Sequence, residues 1–382
     1  MRTFRPAAPA AGADLAGAAQ AALNLVETGG RVTFLVNDPQ RHTDTPAMLS
    51  LLRQGLTGRP LRILVATGSH TIPAGDRLKL DASLQNALGS DKIEIAYHDC
   101  RAGNLVKIGS WTAHPWLTED GSLISIGSVE PHYFAGFTGS HKTCTIGCCG
   151  FEAIQANHSS AVSAECRPCR LQGNPVAEGI RSMLFDLEAH RPVVSVNLVQ
   201  SGRDILFAAG GRTQVTLAQA AAVAVQTFAI KVDAPADVLI AEVTGALGQS
   251  FYQAEKGIKN NEWVVRDGGA IVLVADCPAG IGQNHFVDLL RSAPTHAEAV
   301  AIVESRGYRL GDHKAVRLRY LTDPACRNVR VFAVSAGLSL ADAAMLGVTK
   351  ANSVDDALAQ IARADQSAVY RVIDAGNTCL LM

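Results

Sequence analysis

Apolar positions fall into short β-branched runs separated by stretches of helical period, and this alternation begins within the first forty residues. After a loose N-terminal start, residues 14–29 read as an amphipathic helix and RVTFLVND (31–38) as a buried strand. DTPAMLSLLRQGL (44–56) reads as a helix capped by Asp44 or Thr45, with Pro46 in its first turn. LRILVATG (61–68), KIEIAYHD (92–99), LISIGSV (123–129) and VVSVNLV (193–199) add further strands with continuous apolar runs. A strand apolar on both faces belongs in a mostly parallel sheet covered by helices on both sides. Beyond an alanine-rich helix at 216–229 the pattern restarts: DVLIAEV, GAIVLVADC and VRVFAVS alternate with helical stretches at 250–265, 295–307 and 354–363. The expected fold class is α/β, with two α/β domains and a site in the cleft between them. Residues 1–233 form the first domain and 234–365 a smaller second one; the last strand, AVYRVIDAG (368–376), suits either sheet, so 366–382 is a candidate to return to the first domain.

The length agrees, because single cores stop growing near ~250–300 residues and this chain has 382. With 48% apolar and 18% charged residues and a formal net charge of -1, the composition suits a packed globular enzyme and gives no polyanion-binding run, so no nucleic-acid partner is expected. The longest apolar runs fall far short of the ~18–20 residues of a membrane span, and the N-terminus lacks a leader pattern, so the expected location is cytoplasmic. Nine scattered cysteines do not form a secreted disulfide framework. The single C-x-x-C, Cys166 to Cys169, has no second pair at zinc-knuckle spacing, which makes a metal knuckle the minority reading.

In open α/β sheets ligands sit outside the carboxyl ends of the strands. Four consecutive strands end there in polar groups: Asp38 and Arg41, then Gly68-Ser69-His70, then His98-Asp99, then Glu130-Pro131-His132. Two imidazoles facing one substrate can act as acid and base in turn, a third can ligate a borderline metal, and a lysine offers a nucleophilic amine. GFTGSHKT (136–143) is not a Walker A loop, since Ser140 and His141 separate Gly139 from Lys142, and no G-x-G-x-x-G follows the first strand. An anion held by free amides of this loop remains open.

EPHYFAGFTGSHK (130–142) followed by ANHSS (156–160) resembles the signature of the nickel-dependent lactate racemase family, whose members carry a pincer nucleotide derived from a nicotinic-acid nucleotide. DPQRHT (38–43), ATGSH (66–70) and FYQAEKG (251–257) resemble further motifs of that family, in the expected order across both domains. The resemblance implies a racemase or epimerase of 2-hydroxy acids that works by proton-coupled hydride transfer. Its cofactor would be the nickel-pincer nucleotide, a pyridinium mononucleotide bearing thioamide and thiocarboxylate arms. Lys142 would hold the cofactor covalently and His158 would be the protein ligand to nickel. Asp38 and the loop around Gly139 would help place the nucleotide. His70 and His132 would be the acid/base pair, with Lys256 near the substrate or cofactor. Arg41 would clamp the substrate carboxylate, while Tyr252 and Gln253 close the site. Cofactor-synthesis and nickel-insertion proteins would be maturation partners.

Gln40 and Thr71 depart from the family pattern, and no tryptophan follows Trp263, where lactate-specific members place one; the substrate side chain therefore stays open. Phe134, Phe137 and Phe251 are read as packing. Two alternatives accompany the resemblance: a zinc-dependent hydrolase using the rim histidines, and a non-catalytic binder of the pincer cofactor.

Overall fold

The computed structural model describes residues 1–7, 12–41, 43–362 and 365–382. Two six-stranded sheets organise it. The first runs Asp204–Arg212, Val193–Ser201, Ser122–Ser128, Val32–Asn37, Leu61–Ala66, Glu94–Tyr97, parallel except for its outermost hairpin, Val193–Ser201 with Asp204–Arg212. The second, Arg2–Phe4, Val369–Val372, Ala236–Glu242, Val265–Val274, Arg330–Val334, Thr349–Ala351, is parallel throughout. Continuous apolar runs dictate this: Phe34, Leu35, Val36, Ile63, Leu64 and Val65 are all buried, and alternate residues feed the helix layers on opposite faces. Among the described residues no helix is long and apolar enough to cross a membrane.

One chain end resolves an open choice and the other departs from the expectation of a loose start. Val369–Val372 pairs with Ala236–Glu242 in the second sheet, so its strand does not return to the first. The N-terminal start is a strand, Arg2–Phe4, which pairs with Tyr370 to Val372 and also belongs to the second sheet. Phe4 is buried and meets Tyr370 edge-on at 5.2 Å, and that contact gives a three-residue strand its place. The chain thus starts in the second sheet, builds the first, and re-enters the second after the helix Thr213–Phe228.

Each sheet has one point where the chain order reverses. In the first it lies between Val32–Asn37 and Ser122–Ser128; in the second, between Ala236–Glu242 and Val369–Val372. Helices on either side of such a point diverge and leave a crevice at the carboxyl ends of the strands. The halves meet near the first crevice, where the helix Asp312–Thr322 packs on the helix Phe151–Ser159 and on the turn Ser160–Val162.

Candidate functional site

The first crevice is filled by the loop that follows Ser122–Ser128. Pro131–His132 and Gly136–Phe137 form a minimal hairpin, then Ser140–Cys144 makes one helical turn over the strand ends. Gly139 stands at φ 141°, a conformation that disfavours any side chain, and its carbonyl takes the amides of Lys142 and Thr143 at 3.0 and 3.2 Å. Gly127 lets this turn lie directly on the sheet, because a Cβ there would meet the Ser140 nitrogen at 2.6 Å. Thr143 Oγ1 donates to Asn37 Oδ1 at 2.7 Å and the Ser140 amide to Asn197 Oδ1 at 2.8 Å. The Lys142 turn is therefore pinned to two strands.

His70 and His132 reach this crevice in different surroundings. His70 keeps 35% of its side chain exposed, with Nδ1 2.8 Å from Oδ2 of buried Asp38. Asp38 Oδ1 also accepts the Gln40 amide at 2.9 Å, so its carboxylate is committed to His70 and its own loop. His132 is buried, stacked on Tyr133 at 5.1 Å and edge-on to Phe134 at 4.5 Å, and its Nδ1 accepts the Ala135 amide at 3.3 Å. Burial, then the charges of Lys142, Lys256 and Arg41, hold the His132 imidazole well below its ordinary pKa. It is neutral at pH 7.

Lys142 lies 5.6 Å from the Phe134 ring centre, and no hydrogen bond or ion pair among the described residues holds its amine. Burial, Arg41 and Lys256 lower its pKa far from the usual lysine value, with Glu130 opposing, so a nucleophilic free amine is accessible near neutrality. His158 ends the helix Phe151–Ser159 on the same Phe134 ring, at 5.0 Å. Burial, Lys142 and His70 bring its pKa down to about 3, although the Ile154 carbonyl favours the charged form; the ring is a neutral donor. Its Nδ1 makes no well-formed hydrogen bond, and both ring nitrogens of buried His141 and the Ser140 hydroxyl lack partners too. Buried polar atoms are rarely left unpaired, and Ser140 and His141 immediately precede Lys142 in the chain. A neutral imidazole on the helix Phe151–Ser159, with an uncommitted amine and unpaired polar atoms in the preceding turn, fits a metal-bearing anionic nucleotide. The residues present fit that group.

The second half of the chain supplies the opposite wall. The helix Phe251–Asn261 carries Tyr252, Gln253 and buried Lys256, whose Nζ donates to Asn377 Oδ1 at 3.4 Å. Burial is the main cause that brings Lys256 down to about 8; Glu130 and Asp374 oppose it, Arg41 and Lys314 assist. Arg41, Lys142, Lys256 and His132 thus lie within electrostatic reach of one another, although they come from different sheets. Tyr252 is half-buried, its ring 3.9 Å below the Lys314 ammonium and its carbonyl bonded to the same group. Among the described residues Gln253 makes no side-chain hydrogen bond.

Sequence reasoning passed over His313. It is buried, lies edge-on to Phe134 at 5.1 Å and 6.1 Å from His158, and its Nδ1 meets the Tyr308 hydroxyl at 2.6 Å. GDHKAVRLRYL (311–321) had offered a signal: five charged or imidazole residues on what proves to be a nearly fully buried helix. Phe134 packs as expected, but it packs on His132, His158 and His313 together. Phe137 and Phe251 belong to separate apolar clusters away from these rings. His98 is structural, its Nε2 2.9 Å from the Cys149 carbonyl. The Cys166-x-x-Cys169 pair is no knuckle: among the described residues no three His, Cys, Asp or Glu side chains are gathered to hold a metal. A three-ligand zinc centre for a hydrolase is likewise not assembled there.

Two family descriptions match the chain: lactate racemase N-terminal domain over residues 16–167 and lactate racemase C-terminal domain over 231–379. The chain is 26% identical over 302 residues to a lactate racemase of Thermoanaerobacterium thermosaccharolyticum, covering 74% of this chain and 68% of that protein. It is 28% identical over 258 residues to a lactate racemase of Lactiplantibacillus plantarum, covering 64% and 59%. In fold it matches the lactate racemase apoprotein of T. thermosaccharolyticum with a TM-score of 0.85 at 21% identity, over 100% of this chain and 95% of that one. A protein from Thermotoga maritima matches with a TM-score of 0.75 at 12% identity, over 99% and 100%.

Proposed function

The chain belongs to the lactate racemase family and is an isomerase, and on that premise we propose that it interconverts the configurations at C2 of a 2-hydroxy acid with a nickel-pincer nucleotide. The observation that carries this reading is the convergence of His70, His132, Lys142 and His158 on one crevice with opposed imidazole environments. Lys142 and His158 would hold the cofactor, which when bound supplies the acceptor that takes up and returns the C2 hydrogen with its electron pair.

The protein's own contribution follows from hydrogen bonding. A neutral His70 donates Nδ1–H to the Asp38 carboxylate, leaving a lone pair on Nε2 that can remove the hydroxyl proton. His132 accepts at Nδ1 from the Ala135 amide, so its neutral ring carries hydrogen on Nε2 and can donate a hydrogen bond to the carbonyl oxygen of the oxidised substrate. The two rings are therefore set as base and hydrogen-bond donor toward the substrate oxygen, and the opposite direction uses the reverse setting. Arg41 offers a planar fork for the substrate carboxylate, and Lys256 adds a second cation from the other wall. The combined apolar and cationic surroundings exclude water and orient the acid. No lactate-type tryptophan follows Trp263, so the side chain beyond C2 is not fixed as methyl.

The test is to purify the protein from cells that also make the pincer nucleotide with nickel supplied. Nickel content, the mass of the Lys142 peptide, and racemisation of a panel of enantiopure 2-hydroxy acids are then measured. Nickel, a nucleotide-sized adduct and loss of optical rotation with at least one acid are expected. An unmodified Lys142 with no turnover on any acid would overturn the reading.

A further inference from the structure

Cys166 and Cys169 take no part in the site described above, and the fold sends their thiols in different directions. Cys166 is buried against Asn174 Oδ1 and the Ser160 carbonyl, each at 3.4 Å. Cys169 is only partly buried, and its Sγ lies 3.6 Å from Sγ of Cys379, 210 residues further along the chain. Its backbone stands at φ 62°, an uncommon state for a residue with a side chain, and its amide donates to the Gly136 carbonyl at 2.9 Å. Gly136 belongs to the hairpin that carries His132.

Cys379 belongs to the opposite wall. It opens the strand Cys379–Leu381, and its two neighbours are tied to the Lys256 helix: the Leu380 amide donates to Asn261 Oδ1 at 2.8 Å, and Asn261 Nδ2 donates to the Thr378 carbonyl at 3.0 Å. Two residues earlier, Asn377 accepts from Lys256 itself. The two sulfurs therefore touch across the seam between the His132 hairpin and the Lys256 helix.

We propose that Cys169 and Cys379 are a dithiol site which a peroxide-class oxidant converts to a disulfide, clasping the Lys256 helix to the His132 hairpin. Sulfurs 3.6 Å apart are at contact distance and close up to the ~2.05 Å bond length on oxidation. Cys169 is the accessible member, so its thiolate sulfur attacks one peroxide oxygen. The O–O bond breaks, one oxygen leaves as water after taking up a proton, and Cys169 becomes a sulfenic acid. The Cys379 sulfur then attacks the sulfenyl sulfur; the S–S bond forms, and the hydroxyl leaves as a second water with the Cys379 proton. The two thiols together lose two electrons, and the peroxide gains them. Contact with Cys169 and burial push the Cys379 thiol up and keep it protonated, so Cys169 is the first of the two to be oxidised and Cys379 brings the proton that leaves with the second water.

This inference does not rest on the racemase reading, and its test uses no activity. The full-length protein is treated with hydrogen peroxide, digested without reduction and mapped by mass, with thermal melting in parallel. A Cys169 peptide joined to a Cys379 peptide, two hydrogens lighter than their sum, is expected. The Tm should rise by roughly 5 °C, since closing so long a loop restricts the unfolded chain, and dithiothreitol should reverse both changes. C169S and C379S should each abolish the link and the peroxide-induced rise while keeping the fold. Recovery of Cys169 as sulfinic acid beside a free Cys379 would overturn the site. A linked peptide with no change in Tm would overturn the clasp.

Discussion

At the scale of single residues, small differences in hydrogen bonding give two imidazoles different work. Asp38 fixes His70 through Nδ1 and the Ala135 amide fixes His132 through the same atom in the opposite sense. If this pairing sets base and acid, Asp38→Asn, which loses the carboxylate acceptor, lowers kcat for the enantiomer whose hydroxyl faces His70 by on the order of 10²–10⁴. The other enantiomer is less affected in single-turnover assays, and an equal loss for both would contradict the assignment. His70→Ala and His132→Ala should each abolish racemisation while Lys142 keeps its adduct by mass; turnover in both variants would remove them from the acid/base role. Lys256 adds a pH dependence with a definite sign. Its pKa is lowered to about 8, so the ammonium that would hold the substrate carboxylate exists below that pH and is lost above it. The kcat/KM profile should therefore fall about tenfold per pH unit above 8, and Lys256→Met should remove that alkaline limb.

At the scale of elements, the Lys256 helix and its partner Asp312–Thr322 carry an unusual load of buried charge. Glu262 accepts from Lys259 at 2.8 Å and from Arg317 at 2.7 Å; Glu255 lies 4.0 Å from Lys259 and 3.8 Å from Lys314. Burial works against an ionised Glu262, but Lys259 and Arg317 outweigh it and hold its carboxyl below the ordinary range. Among the described residues the Glu255 carboxyl oxygens have no hydrogen-bond partner, and burial pushes its pKa up despite two lysines. Arg317 also donates to the Tyr133 carbonyl at 3.5 Å, so the network runs into the loop that carries His132. Glu262→Gln leaves two buried cations underpaired and should cost ~3–5 kcal/mol, read as a lower urea midpoint at unchanged slope. A loss within ~0.5 kcal/mol would show that the network relaxes without it.

At the scale of the whole molecule, two sheets meet across one crevice, and the chain passes between them after Phe4 and again after Phe228. Closure of the cleft over a bound acid is the motion expected of two units joined in this way. Solution scattering of the reduced protein should show a smaller radius of gyration with a 2-hydroxy acid bound than without; indistinguishable profiles would mean a fixed cleft. If the proposed disulfide forms, the oxidised protein should lose that difference.

Much of this was written in the sequence because it depends on local periodicity. Continuous apolar runs specified most strands and their parallel pairing, Asp44 and Pro46 announced a helix start that the structure keeps, and the spacing of His132, Lys142 and His158 marked the loop that fills the crevice. The strand Arg2–Phe4 was illegible because three residues carry no period; only Tyr370, far along the chain, gives it a place. His313 was passed over for a related reason. A helix with nearly every face buried loses the polar stripe that marks a surface helix, and its charges look like solvent contacts until Glu262 and Tyr308 stand opposite them. The sequence by itself determined the two α/β units and the reactive side chains on offer. Only the tertiary structure decided which sheet each chain end joins, which imidazole is held as donor or acceptor, and which cysteine meets which, because those outcomes depend on how loops and distant segments are brought into contact rather than on the local pattern of apolar positions.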